Sequence, residues 1–143
     1  MAGANSPVVL IVEDHDDTRE MLQLLLTIFG CRPIAAHDGE EAISLAEKTL
    51  PDLILMDRRM PHLDGLSVTR LIRSHPTLNE VPIIAMTGMV TPQFKIEVLR
   101  AGCNDCLYKP IDFERLENLV KTITPSAPRH NLSSHSVITR QNW

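Results

Sequence analysis

At 143 residues, with 18 acidic against 14 basic side chains and a formal charge of −4, the chain has the size of one ordinary domain that can bury a core without disulfides or a structural metal. The acidic balance argues against sequence-independent nucleic-acid binding, which runs on phosphate neutralisation, and no direct DNA contact is expected. Three cysteines, no charged-then-apolar leader and no apolar run near the roughly 18 residues of a membrane span argue against a disulfide scaffold and a membrane helix, so a cytoplasmic location is the expectation.

The first element is Val8-Val9-Leu10-Ile11-Val12, an apolar run without alternation. Such runs read as strands buried on both faces, which belong to parallel α/β sheets. It ends in Glu13-Asp14. Residues 17–29 then place Met21, Leu22, Leu25 and Phe29 at helical spacing, with Gly30 closing the helix and Asp16 and Asp17 capping its positive end. Residues 33–36 form a weaker strand, at an edge or a strand start, because Pro33 cannot donate to a ladder. Asp38 with Glu41 three residues on reads as a capping box, and Ala42, Ile43, Ala46 and Leu50 supply the buried stripe of that helix.

Leu53 to Met56 is the next strand and runs into Asp57. A loop from Arg58 to Gly65 leads to a helix over residues 66–74 with Leu71 and Ile72 inward, ended by His75-Pro76. Residues 81–86 are a buried strand broken by Thr87-Gly88. Thr91-Pro92 opens a helix as N-cap and first-turn proline, and Ala101-Gly102 ends it. A short strand at residues 105–108 is followed by a helix capped by Asp112, with Phe113, Leu116, Leu119, Val120 and Ile123 inward.

Five strands and five helices in strict alternation imply an α/β, doubly wound (βα)5 sandwich of parallel strands joined by right-handed crossovers. The expected division is a flexible start at residues 1–6, one domain over residues 7–123, and a disordered tail over residues 124–143, where Pro125, Pro128 and four serines replace apolar residues.

In open parallel sheets, ligands bind beyond the carboxyl ends of the strands. Four of the five strands end in polar groups there: Glu13 and Asp14, Asp57, Thr87, and Lys109. Crowded carboxylates repel unless a cation holds them, and Mg²⁺ takes one or two carboxylates, keeps waters and binds phosphate. A lysine ammonium and a threonine hydroxyl both donate to phosphoryl oxygens. The set suits phosphoryl transfer, in which a carboxylate can itself be the nucleophile and form an aspartyl phosphate.

The segments LIVEDHDD, DLILMDRRMPHLDG, PIIAMTG and YKP, in this order, resemble the receiver domain of two-component response regulators, including the chemotaxis regulator, over roughly residues 7–123. The resemblance implies a flavodoxin-like five-stranded sheet of order 2-1-3-4-5. It implies that Asp57 is the phosphoacceptor, taking its phosphoryl group from a histidine kinase or histidine phosphotransfer protein. Asp14 and Asp57 would hold Mg²⁺ or Mn²⁺, with the Arg59 backbone carbonyl as a further ligand and Glu13 acting through water. Thr87 and Lys109 would contact the phosphoryl oxygens, and the Lys109-Pro110 bond would be cis. A downstream protein would dock on the face made by the fourth helix, fifth strand and fifth helix. On this reading the chain is a phosphorylation-controlled switch without an output domain, and not a turnover enzyme on an external substrate.

Two positions depart from the family. Cys106 stands where an aromatic residue usually couples to the threonine, which leaves Tyr108, on the same strand face by period two, as a candidate for that role. Arg58-Arg59 follows the phosphoacceptor directly. In the family the positions of Arg59 and Met89 influence how fast the phosphoryl group is lost; a guanidinium near the site could hold phosphate, pair with Glu13 or point to solvent.

Two rival functions differ in class. An aspartate-nucleophile phosphatase needs a second acid two residues after Asp57, where Arg59 stands; a binding module that takes no phosphate has no need of Asp14, Asp57, Thr87 and Lys109 together. Cys103-Asn104-Asp105-Cys106 has redox-motif spacing but precedes a strand, so buried, inert thiols are expected. Asp14 to Asp17 lacks the glycine and glutamate of a calcium loop.

Overall fold

Strands form where apolar residues run without alternation, and the computed structural model, which describes residues 6–60, 64–89 and 91–123, has β1 (Val8–Val12), β2 (Arg32–Ala36), β3 (Leu53–Asp57), β4 (Ile83–Thr87) and β5 (Asp105–Tyr108). All pairings are parallel, in the order β2-β1-β3-β4-β5. The three central strands β1, β3 and β4 are buried along almost their whole length. Pro33 is tolerated in β2 because that strand is an edge and leaves one side of its ladder unused. Beyond Ser6, the expected flexible start and the expected tail at residues 124–143 lie outside the described residues.

The helices are α1 (Asp16–Ile28), α2 (Gly39–Thr49), α3 (Gly65–Arg73), α4 (Pro92–Ala101) and α5 (Phe113–Lys121). Alternate strand residues face two separate apolar layers. Val9, Ile11, Leu55 and Met86 pack with Leu22 and Leu26 of α1 and Leu116 and Val120 of α5. Leu10, Val12, Ile54 and Ala85 face Ala42 and Ala46 of α2, Ile72 of α3 and Val98 of α4. Each fully buried leucine or isoleucine contributes about 1.5–3 kcal/mol of transfer free energy, so both layers are needed to hold the sheet.

Caps explain most helix boundaries. The Asp38 side chain accepts from the Glu41 N–H at 2.8 Å, and Glu41 reaches back to the His37 N–H at 2.9 Å. Thr91 accepts from the Phe94 N–H at 3.1 Å, with Pro92 in the first turn. Gly102 takes a φ of +113° at the end of α4, and Gly30 a φ of +90° after α1, both in the left-handed region that favours glycine.

Four expectations need correction. Leu71 is 47 % exposed; adjacent residues on a helix are about 100° apart, so Leu71 and Ile72 cannot both face the core. Phe113 is 50 % exposed because it occupies the first position of α5, a turn before Leu116, where the buried stripe begins. Asp16 and Asp17 lie inside the first turn of α1 and cap nothing by hydrogen bond; the N-cap is His15, without a side-chain bond. The fourth strand begins at Ile83 rather than Val81, since Pro82 offers no donor there, and it extends through Thr87. None of the described helices is long and apolar enough to cross a membrane.

Candidate functional site

Beyond Val12 the chain keeps pairing for one residue: the Glu13 N–H donates to the Ala36 carbonyl at 3.0 Å. That bond holds the Glu13 carboxylate inside, 1 % exposed, while Asp14 is exposed at the rim. Glu13 Oε2 accepts from the His15 N–H at 3.1 Å, and Arg19 donates to the Glu13 carbonyl at 3.0 Å. Asp57 is the last residue of β3 and is 4 % exposed. Directly beneath it Gly65 opens α3. A Cβ there would lie 2.1 Å from the Asp57 carbonyl oxygen, so only glycine lets α3 begin this close to the strand end.

β4 and β5 bring the other two groups. Thr87, 4 % exposed, ends β4, and its hydroxyl accepts from the Met89 N–H at 3.0 Å. The Lys109 N–H donates to the Thr87 carbonyl at 2.8 Å, which carries the lysine back over the sheet end, and the Lys109-Pro110 peptide is cis. The Lys109 Nζ donates to Glu13 Oε1 at 3.0 Å and to Asp57 Oδ1 at 3.1 Å. Asp57 Oδ1 also accepts from the Arg59 N–H at 3.3 Å.

Three carboxylates, Glu13, Asp14 and Asp57, have oxygens within 4.8 Å of one another, and among the described residues Lys109 is the ammonium paired with two of them, Glu13 and Asp57. Burial first, then the neighbouring Glu13 carboxylate, pushes the Asp57 carboxyl above the ordinary carboxylate range against the opposing pull of Lys109. Burial alone would lower the Lys109 ammonium, but the hydrogen bond to Glu13 and the charge of Asp57 outweigh it and hold the lysine above its ordinary value. An all-oxygen donor set with surplus negative charge fits a hard divalent cation such as Mg²⁺. The three acids would hold it from β1 and β3. Above them lies a pocket of about 500 Å³ lined also by His15, Thr18, Arg58, Arg59 and Met89.

Glu13, Asp14, Asp57, Thr87 and Lys109 thus line one pocket. Arg59 contributes its backbone N–H, and its side chain is exposed at the rim while Glu13 pairs with Lys109. Cys106 is buried on the layer that faces α2, α3 and α4, and Tyr108 packs half-buried on the same layer. All three thiols are free, and burial pushes Cys31 and Cys103 up to about 11, as inert cysteines require. Sequence reading missed the roles of Asp64, Gly65 and Thr18. Asp64-Gly65 is a visible cap-and-glycine signal, with Asp64 accepting from the Leu66 N–H at 2.9 Å. Thr18 reaches the pocket from α1, which no spacing rule reveals, and Arg58, already singled out with Arg59, lies over the Phe94 ring 4.7 Å from its centre.

Comparison with known proteins agrees with this geometry. The family described as the response regulator receiver domain matches residues 9–121. The Escherichia coli regulatory protein AtoC is 36% identical over 113 residues, and the Saccharomyces cerevisiae transcription factor SKN7 is 42% identical over 112 residues. These alignments span 79% and 78% of the chain but only 24% and 18% of those proteins. Among solved structures, the receiver domain of the sensor histidine kinase PA1611 from Pseudomonas aeruginosa, crystallised with a magnesium ion in its active-site cleft, superposes with a TM-score of 0.75. It is 36% identical and the match covers 81% of this chain and 95% of that one.

Proposed function

The chain belongs to the response regulator receiver domain family, and on that premise we propose that Asp57 accepts a phosphoryl group from a phosphohistidine donor and that the modified domain switches its protein partners. The observation that carries this reading is a carboxylate buried to 4 % exposure, bonded by Lys109 at 3.1 Å, yet open to a pocket large enough for a phosphoryl group.

In the reaction a carboxylate oxygen of Asp57 attacks phosphorus, the P–N bond to the donor histidine breaks, and the departing imidazole keeps the electron pair and takes up a proton. Lys109 sits between Glu13 and Asp57, so its ammonium reaches a phosphoryl oxygen on Asp57 with little movement and offsets the added charge. Thr87 places a hydroxyl at the same strand edge, free to donate its hydrogen to a second phosphoryl oxygen while its oxygen accepts from Met89. Glu13, Asp14 and Asp57 would hold Mg²⁺, Glu13 through water, and the ion would supply positive charge to offset that of the carboxylates and the incoming phosphate. Arg59 would add its backbone carbonyl to that set.

The domain assists its own phosphorylation and dephosphorylation and does not turn over an external substrate. A histidine kinase or phosphotransfer protein supplies the phosphoryl group in the cytoplasm. The downstream partner binds the α4–β5–α5 face, where Asp105 of β5 is pinned by Lys95 of α4 at 3.4 Å and by Arg115 of α5 at 3.2 Å. Incubation with Mg²⁺ and acetyl phosphate should add one phosphoryl group by intact mass, and Asp57→Asn should take none. Absence of the adduct in the unaltered chain would leave only a binding module that does not use phosphate.

A further inference from the structure

Arg58 follows Asp57 directly, and its backbone is clamped on both sides. Its N–H donates to the Met86 carbonyl at 3.0 Å and its carbonyl accepts from the Gly65 N–H at 2.9 Å. The side chain is far less satisfied. The guanidinium carbon lies 4.7 Å from the centre of the Phe94 ring, and Nε is buried with no hydrogen-bond partner among the described residues. A ring face attracts a cation but accepts no full N–H hydrogen bond. Arg58 therefore has a place to rest and a buried donor left over.

Both ends of that side chain matter for signalling. Arg58 lines the pocket above Asp57. Phe94 is the third residue of α4 and is 3 % exposed; its N–H is held by the Thr91 cap, and the next residue, Lys95, pairs with Asp105 of β5. One cation thus spans the phosphoryl pocket and the first turn of the helix that borders β5. A phosphoryl group presents several strong acceptors, and a charge-assisted guanidinium–phosphate bond outcompetes a ring contact.

We infer that Arg58 is the readout residue of this domain: a phosphoryl group on Asp57 draws its guanidinium off the Phe94 ring, uncovering the ring and loosening the first turn of α4 together with Lys95. The inference rests on the phosphoacceptor reading of Asp57. It gives the two states different α4 surfaces, which a partner needs in order to prefer one of them.

Amide hydrogen exchange at Phe94 and Lys95, measured before and after phosphorylation with acetyl phosphate and Mg²⁺ and paired with intact mass, tests it. In the unaltered chain the exchange of these amides should rise about tenfold on phosphorylation. In Arg58→Gln, which has no cation to move, and in Phe94→Leu, which keeps an apolar side chain but no ring to leave, the rise per phosphorylated molecule, with the phosphorylated fraction read by intact mass, should shrink to less than about twofold. A full rise in Arg58→Gln, or full phosphate uptake by the unaltered chain with no rise, overturns the inference alone. No phosphate uptake by the unaltered chain overturns the phosphoacceptor reading and this inference with it.

Discussion

At the carboxyl ends of the strands, two of three clustered carboxylates share one ammonium; at the opposite ends, a guanidinium is spread over neutral acceptors. There Arg73 donates to the Gly102 carbonyl at 2.9 Å, the Leu78 carbonyl at 3.2 Å and Asn104 Oδ1 at 3.0 Å, and Asn104 also accepts from the Ile83 N–H at 2.9 Å. Asp52, 2 % exposed at the start of β3, accepts from the Val8 N–H at 2.7 Å. Both clusters are largely buried and polar, so burial alone does not mark the reactive one. The difference is charge balance. The Arg73 network joins α3 to the turn before β5 and to β4, and Asp52 joins the start of β3 to β1, whereas the surplus negative charge around Asp57 costs stability that a cation or a phosphate contact can recover.

The contrast can be broken or sharpened by substitution. Gly65→Ala has the largest expected effect: its Cβ would meet the Asp57 carbonyl, and the loss in urea unfolding should be about 3–4 kcal/mol with phosphate uptake impaired as well. A loss below about 1 kcal/mol would mean that α3 shifts easily, and that its start is not set by β3. Arg73→Met, at the opposite end, should cost about 2–3 kcal/mol through three lost donors and leave phosphate uptake at the unaltered level. Impaired uptake would show that the two ends are coupled.

Asp57→Asn should do the opposite and stabilise the fold at neutral pH by about 1–2 kcal/mol. The Asp57 carboxyl binds its proton more tightly in the folded chain than at its ordinary value of 3.8. Its contribution is therefore fully present below about pH 4 and lost as pH rises through the raised folded value. Asparagine removes that loss, so the gain over the unaltered chain should vanish toward acid; a gain that persists there would assign it to something other than charge. The smallest effect is that of the ion. At about three times its dissociation constant, Mg²⁺ should raise the stability of the unaltered chain by about 0.8 kcal/mol, and at the same concentration it should raise Asp57→Asn less, as thermal unfolding with and without chelator would report.

Most of the fold was legible because buried parallel strands need long apolar runs and helices need caps, and both are local. The runs ending in Asp57 and Thr87 and the caps at Asp38, Thr91 and Asp112 are of this kind. The errors fell where a helix face had to be chosen between adjacent apolar residues, as at Leu71 and Ile72, or where a helix starts ahead of its buried stripe, as at Phe113. The Arg73 network was invisible for another reason: its acceptors come from sequence separations of 5 to 31 residues and are mostly backbone carbonyls, which leave no mark in residue type.

For this protein the amino-acid order by itself determined an alternating five-strand sheet whose carboxyl edge carries Glu13, Asp14, Asp57, Thr87 and Lys109, because strand burial and strand ends are local properties. Tertiary structure decided which of those groups touch. It set Lys109 between Glu13 and Asp57, 96 and 52 residues away in the chain, made Gly65 obligatory beneath Asp57, and laid Arg58 on Phe94. Those contacts depend on how strands and helices from distant parts of the chain stack. The charge balance that separates a reactive cluster from a structural one exists only once they have.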